Sequence, residues 1–317
     1  MTHRTQAAHH PAAGRADDDG LARCPDACAD AAGRRLSTRG RPTTGRALLG
    51  YIFGSLTAVA VPGPVLVPLM TDLGMSHSAA RTSLQRLLQS QDLIAERVGR
   101  VAVYRLVGGY ADRYQRLTQG DPITPWQGHF EGLLYEIPEI RRTARDELRE
   151  RAFAHGFAAV RPGLLIGTSD PRRWSAEWLG SSGEVERLRI GCDLATAARM
   201  ARRAWDLDQR RQEIDTCLAV FDGWSASFAS GSLDSLGTWQ LLFSGWSRLA
   251  AIHARLPPLP AQILPADWPA EAVRSRLVEI TRREWDAVQA HLDTRLAEAG
   301  PVAGLVVGGG WDDDPQI

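Results

Sequence analysis

The tightest constraint on this chain is the punctuation between residues 44 and 107. Pro62-Gly63-Pro64, Gly74 and Gly99-Arg100 divide that stretch into pieces with room only for short helices and a hairpin. Ahead of the first break, Ala47, Leu48, Tyr51, Ile52, Ser55, Leu56 and Val59 recur at helical spacing and predict an amphipathic helix over 45–59. The Pro-Gly-Pro stops it. A second short helix is expected over about 64–72, closed by Gly74, a residue suited to a left-handed C-terminal cap. Ser76 is a good N-cap for a third helix running to about Gln89. On that helix Ala80, Leu84, Leu87 and Leu88 make the apolar stripe. Leu93–Val98 and Val101–Val107 then read as two strands joined tightly at Gly99-Arg100.

Helix, helix, turn, helix and hairpin, in that order, make a winged helix-turn-helix. Such a unit lays its second motif helix in the major groove, with side chains near the helix start facing base edges. Here Ser76, His77, Ser78, Arg81, Thr82 and Gln85 fall on the polar side. Arginine can bond guanine, and glutamine adenine, through two parallel hydrogen bonds. Arg86 suits a phosphate or a structural role, and Arg97 and Arg100 in the wing suit phosphate or minor-groove contact. The chain carries no net charge, so any basic surface must be local. Residues 46–116 supply it, with eight arginines against Asp72, Asp92, Glu96 and Asp112. Every basic residue is arginine, which keeps its charge and its planar fork wherever it sits.

The flanks are plainer. Residues 1–43 have no apolar periodicity and are expected to be a disordered tail. The tail holds Arg34, Arg35, Arg39 and Arg41, either a solvated segment or an arm for a minor groove. Cys24 and Cys28, with His3, His9 and His10 upstream, match no strong zinc spacing, so no metal or other cofactor is expected. Four cysteines in 317 residues suit a reducing cytoplasm, and no apolar run is long enough to span a membrane.

Beyond the hairpin the pattern alternates. Strands are expected at His129–Ile137, Phe157–Val160, Leu164–Gly167 and Val185–Gly191. Helices are expected at Glu139–Ala154, with Ile140, Ala144, Leu148 and Ala152 inward, at 172–180 and at Ala195–Arg203. That order suits a small ferredoxin-like sheet. A metal-dependent nuclease built on it would need clustered carboxylates; Asp170 and Asp193 are available, without a convergent set. From Trp205 to about Ala299 the chain reads as helices, with aromatic stripes through Trp224 and Phe228 and through Trp239, Phe243 and Trp246. Such stripes make either core, or an apolar dimer face or pocket.

Several runs resemble the PaaX family of repressors, which govern aromatic catabolism such as phenylacetic acid degradation. These are Gly74 through Leu88, Gly99-Arg100, Tyr104-Arg105-Leu106, Trp126 through Arg149, Gly156-Phe157, Pro162-Gly163-Leu164, and Leu259 through Pro269. The resemblance covers roughly residues 44–290. It implies a homodimeric repressor of double-stranded DNA at a palindromic operator, released by an aryl-CoA thioester such as phenylacetyl-CoA. It also implies a middle region similar to the CRISPR-associated ferredoxin-like nucleases. For a CoA ligand, Arg161, Arg172 and Arg173 are candidate phosphate partners and Trp174 a candidate platform for adenine, although the same arginines also read as a solvated basic loop. Gln91-Asp92 departs from the family's Gly-Trp, and residues 181–183 and the glycine-rich end match nothing in the pattern.

The expected architecture is therefore α+β. A winged helix-turn-helix over 44–118 precedes a central ferredoxin-like α/β domain over 119–204. An all-helical domain over 205–299 and a flexible tail over 300–317 follow. The expected function is transcription regulation without catalysis. The alternatives are a metal-dependent nuclease, or a regulator of unrelated genes with a different inducer.

Overall fold

A computed structural model describes residues 45–107, 125–176, 178–179, 184–253 and 259–308. The N-terminal tail, with its cysteines and its arginine arm, lies outside the described residues. The first helix, α1 (Gly45–Ser55), is shorter than its periodicity predicts. Thr57 takes a φ of 46°, which breaks the helix, and the chain enters a strand, β1 (Ala58–Pro62). The expectation of a helix through residue 59 is corrected here: Ala58, Ala60 and Val61 are buried as strand residues. Next come α2 (Gly63–Asp72), α3 (His77–Gln89), β2 (Leu93–Val98) and β3 (Val101–Leu106). β2 and β3 pair in register from Leu93 opposite Leu106 to Val98 opposite Val101. β3 also pairs with β1, through Val61 opposite Tyr104.

The end of the chain adds a fourth strand to this sheet. Gly300–Leu305 forms a 3-10 turn, and the two-residue strand β8 (Val307–Gly308) lies antiparallel to β1, giving the order β2-β3-β1-β8. The expected flexible tail is thus corrected over residues 300–308; the remainder lies outside the described residues.

The middle region holds β4 (His129–Tyr135), α4 (Arg142–Ala154), β5 (Ala158–Arg161), β6 (Leu164–Gly167), the single-turn α5 (Arg172–Ser175), β7 (Val185–Gly191) and α6 (Leu194–Ala204). The strands run β5-β6-β4-β7, all antiparallel, so the first and third strands of the region are central. One sheet face packs Leu133 and Tyr135 against Leu148 and Ala152 of α4. The other packs Phe130 and Ile166 against Ala197 and Ala201 of α6, with Ile263 wedged beside them. Two expectations are corrected. Ile140 is 94% exposed, because Glu139–Arg141 turns in 3-10 form before α4 begins. The helix expected over 172–180 is the one turn of α5.

Four helices complete the chain: α7 (Leu207–Ala229), α8 (Ser235–His253), α9 (Ala270–Arg283) and α10 (Trp285–Ala299). Their apolar faces do not form a core of their own. Phe221, Trp239, Leu242 and Leu292 belong to the same hydrophobic cluster as Leu48, Ile52, Leu66 and Leu84. Gly245 makes the close packing possible, since a Cβ there would stand 2.7 Å from the Trp224 ring and 2.8 Å from Leu277. Polar contacts cross the same boundary. The Tyr51 hydroxyl donates to the Trp239 carbonyl at 2.9 Å, and the Trp239 indole donates to Ser55 Oγ at 3.2 Å. The N-terminal helices and the C-terminal helices therefore share one core, to which the middle sheet is attached as a second body. No described helix is long and apolar enough to cross a membrane.

Candidate nucleic-acid interface

Ser76 starts α3 as its spacing predicts. Its backbone is extended (φ −68°, ψ 152°), and its Oγ accepts from the Ala79 N–H at 3.2 Å, satisfying one of the free donors of the first turn. The Thr82 hydroxyl bonds back to the Ser78 carbonyl at 3.0 Å. Ala80, Leu84 and Leu87 are buried, which fixes the helix's rotation about its axis. The consequence is that Ser76, His77, Ser78, Arg81, Thr82, Gln85 and Arg86 are all exposed.

The end of α3 fixes the hairpin's take-off. Gln91 N–H bonds the Leu88 carbonyl and Asp92 N–H bonds the Leu87 carbonyl, the two hydrogen bonds of a Schellman closure. Gln91 sits at the left-handed position with φ 58°. This is where the family pattern has glycine, so the departure keeps the geometry and carries its backbone cost. Gly74 closes α2 in the same way with φ 90°. In the hairpin Gly99 has φ 61° and Arg100 does not, the signature of a two-residue turn with glycine at its first central position.

Helix and hairpin enclose a cleft of about 640 Å³. His77, Arg81 and Gln85 line it from α3, Arg100 from the turn, and Tyr104 from β3. Arg97 is paired with Ala102, another lining residue, and so stands on the same face of the hairpin. Of the residues singled out from sequence, the structure thus brings His77, Arg81, Gln85, Arg97 and Arg100 together around one groove. It leaves Ser76, Ser78, Thr82 and Arg86 exposed along the same helix. Sequence reasoning missed the cleft's far wall, Pro64, Val67 and Pro68 of α2. The Pro-Gly-Pro that signals a helix stop was also the signal for that wall.

Charge is arranged to match. Among the described residues Arg81, Arg86, Arg97 and Arg100 have no carboxylate partner. Most other arginines do: Arg141 with Glu184, Arg202 with Asp208, Arg211 with Asp267, Arg276 with Asp222. The nearby acids are occupied elsewhere. Asp92 accepts from the Ser90 hydroxyl at 2.6 Å, Glu96 lies 4.0 Å from Arg105, and Asp72 is held by Arg295 of α10 at 2.6 Å.

The second group of candidates behaves differently. Trp174, expected as a stacking platform, is buried, with His155 stacked parallel to it at 5.0 Å and Phe157 edge-on. Its rings are core, and that expectation is corrected. Arg172 is bonded to Asp170 through backbone and guanidinium, which holds the Asp170 carboxyl down to about 2. Arg161 is exposed at the end of β5, and no hydrogen bond, ion pair or ring contact joins it to Arg172 or Trp174. The Arg173 side chain lies outside the described residues.

The carboxylates of the middle sheet are also committed. Glu131, buried on β4, is gripped by Arg187 at 2.8 Å, with Arg189 at 3.4 Å. Asp193 caps α6 through Thr196. Among the described residues no group of three or more histidine, cysteine or carboxylate side chains is placed to hold a metal.

Residues 53–109 match the family described as PaaX-like protein, and residues 124–187 match the PaaX protein central Cas2-like domain. The chain belongs to the PaaX family. The two matched regions of this PaaX protein are the helix-and-hairpin unit and the middle sheet. A solved structure, uncharacterized protein Rv0674 from Mycobacterium tuberculosis, is similar in fold, with a TM-score of 0.50 and 22% identity. The match covers 80% of this chain and 98% of that one. No curated protein matches the chain.

Proposed function

We propose that residues 45–107 are a winged helix-turn-helix that reads duplex DNA, and that the chain is a transcriptional regulator. In this reading α3 lies in the major groove and the β2–β3 hairpin tracks the neighbouring minor groove. The sugar-phosphate ridge between them sits in the cleft. Arg81 and Gln85 face base edges, and Arg86, Arg97 and Arg100 meet phosphates. One observation carries the proposal: four arginines without carboxylate partners stand around a helix whose polar face is fully open. An arginine held by a carboxylate must break that bond to meet a phosphate; these need not.

Family membership supports the regulatory role and extends it to a homodimer on a palindromic operator. Two copies of α3 would then enter successive turns of one duplex face, about 34 Å apart or a multiple of that. It also extends to repression relieved by an aryl-CoA thioester. Such release requires the ligand to bind the non-DNA conformer more tightly than the DNA-bound one. The middle sheet, with its βαββαβ element order, is read as a ferredoxin-like spacer and dimer module. Cleavage there has no comparable support, since its carboxylates already hold arginines or cap a helix.

The test is binding of the full chain to sequences selected from a random duplex pool, by fluorescence anisotropy. Arg81→Ala is expected to lose about 1–3 kcal/mol on the selected sequence and much less on random duplex. Arg100→Ala is expected to weaken both alike and to lower the salt slope by about one. Equal affinity of Arg81→Ala and the parent protein for the selected duplex would exclude base reading by α3.

A further inference from the structure

The cleft between α3 and the hairpin has features that a seat for a phosphate ridge does not require. DNA-binding surfaces are polar and wet. This one has an apolar interior, with half-buried Pro68, Leu88 and Tyr104 below a rim of His77, Arg81 and Arg100. Its volume of about 640 Å³ falls inside the range of small-molecule sites, about 300–1,000 Å³. Gly63 keeps the slot open: a Cβ there would stand 3.3 Å from the Tyr104 ring. Among the described residues, the Tyr104 hydroxyl has no hydrogen-bond partner, and neither rim arginine has a carboxylate. An apolar floor, a phenol ring on one wall and unneutralised cations at the mouth fit one ligand chemistry.

We infer that this cleft is a binding site for an organic anion with a flat apolar body, and that such a ligand displaces DNA by occupying its seat. The anion takes the place of a phosphate at Arg81 and Arg100, while the apolar body covers surface that DNA leaves wet. Regulation at this site is then competition for the same arginines, with no need for a shape change passed from another part of the chain. The displacement half of the inference rests on the DNA-reading proposal above; the ligand site itself does not.

The test uses the full chain and 2-naphthoate, with uncharged 2-naphthalenemethanol as its control, by calorimetry. Naphthoate is expected to bind, and the alcohol to bind about tenfold or more weakly, the factor expected for losing a charge-assisted hydrogen bond. Arg100→Ala, an exposed turn residue remote from the core, should weaken naphthoate by a similar factor. Ala102→Trp, which fills the slot, should abolish its binding. In anisotropy the apparent Kd for the selected duplex should rise in proportion to naphthoate concentration, without a plateau. The inference is overturned if naphthoate shows no binding up to roughly 10 mM, weaker than any Kd that a competing effector needs. It is equally overturned if binding persists in both variants, or if the effect on DNA levels off as an allosteric effect does. A chain that binds naphthoate at the cleft and never binds DNA would sink the DNA reading and the displacement, and leave the ligand site standing.

Discussion

Arg81 and Asp72 show how differently two charged residues a short distance apart in the chain are used. Arg81 could be placed from sequence, because the stripe Ala80, Leu84 and Leu87 leaves it only one side of α3 to occupy. Asp72 could not: it reads as an ordinary end-of-helix acid, yet its side chain is nearly inaccessible, clamped by Arg295 at 2.6 Å with His291 Nε2 at 3.1 Å. Those partners lie 223 and 219 positions away, beyond any local signal. Trp174 failed for the same reason, since nothing nearby in sequence says that His155 will cover its face. Burial alone would raise the Asp72 carboxyl, but hydrogen bonds and charge from His291 and Arg295 outweigh it and hold the group below the ordinary carboxylate range. A folded-state value depressed in this way contributes stability that is complete above about pH 4 and is lost as pH falls through it. Asp72→Asn should therefore cost on the order of 2 kcal/mol near pH 7, less than a fully buried pair because Arg295 is partly solvated. In urea unfolding that deficit should narrow steadily below about pH 4; a deficit independent of pH would mean that charge is not what Asp72 supplies.

At the level of elements, punctuation was more informative than periodicity. Gly74, Ser76 and Gly99 marked real boundaries, because each answers a local backbone demand: a left-handed cap, an N-cap acceptor and a tight turn. Helical periodicity overran into Ala58–Pro62, where alternating alanine and valine belong to a strand whose partners, β3 and β8, lie far along the chain. The 3-10 turn at Glu139–Arg141 put Ile140 outside for a related reason, since a turn of different pitch shifts every later residue's face. The Schellman closure after α3 yields an element-scale prediction. Gln91 holds a φ of 58° that costs an L-residue roughly 1–2 kcal/mol. Gln91→Gly relieves this and gives back part of the gain as chain entropy, so a net stabilisation of about 0.5–1 kcal/mol is expected in thermal unfolding. A destabilised variant would show that the Gln91 side chain does more for the hairpin take-off than its backbone costs.

For the whole molecule, the sequence divides into three units and the packing into two bodies. The aromatic stripes of α7 and α8 were legible as apolar faces. What they cover was not, because the Tyr51–Trp239 and Asp72–Arg295 contacts join opposite ends of the chain. The result is a DNA-facing surface built on a core supplied largely by the C-terminal helices, so that surface is held rigid from behind. If a dimer brings four open arginines per copy to phosphates, log Kobs against log salt should have a slope of about −7, and a slope near −1 or −2 would be incompatible with that footprint. The most direct measurement is amide hydrogen exchange of the full chain with and without its selected duplex. DNA is expected to slow exchange across His77–Gln89 and the Val98–Val101 turn, while β7 on the middle sheet and the outer face of α9 stay unchanged. Protection confined to the middle sheet, with α3 and the hairpin exchanging as freely as before, would contradict the account.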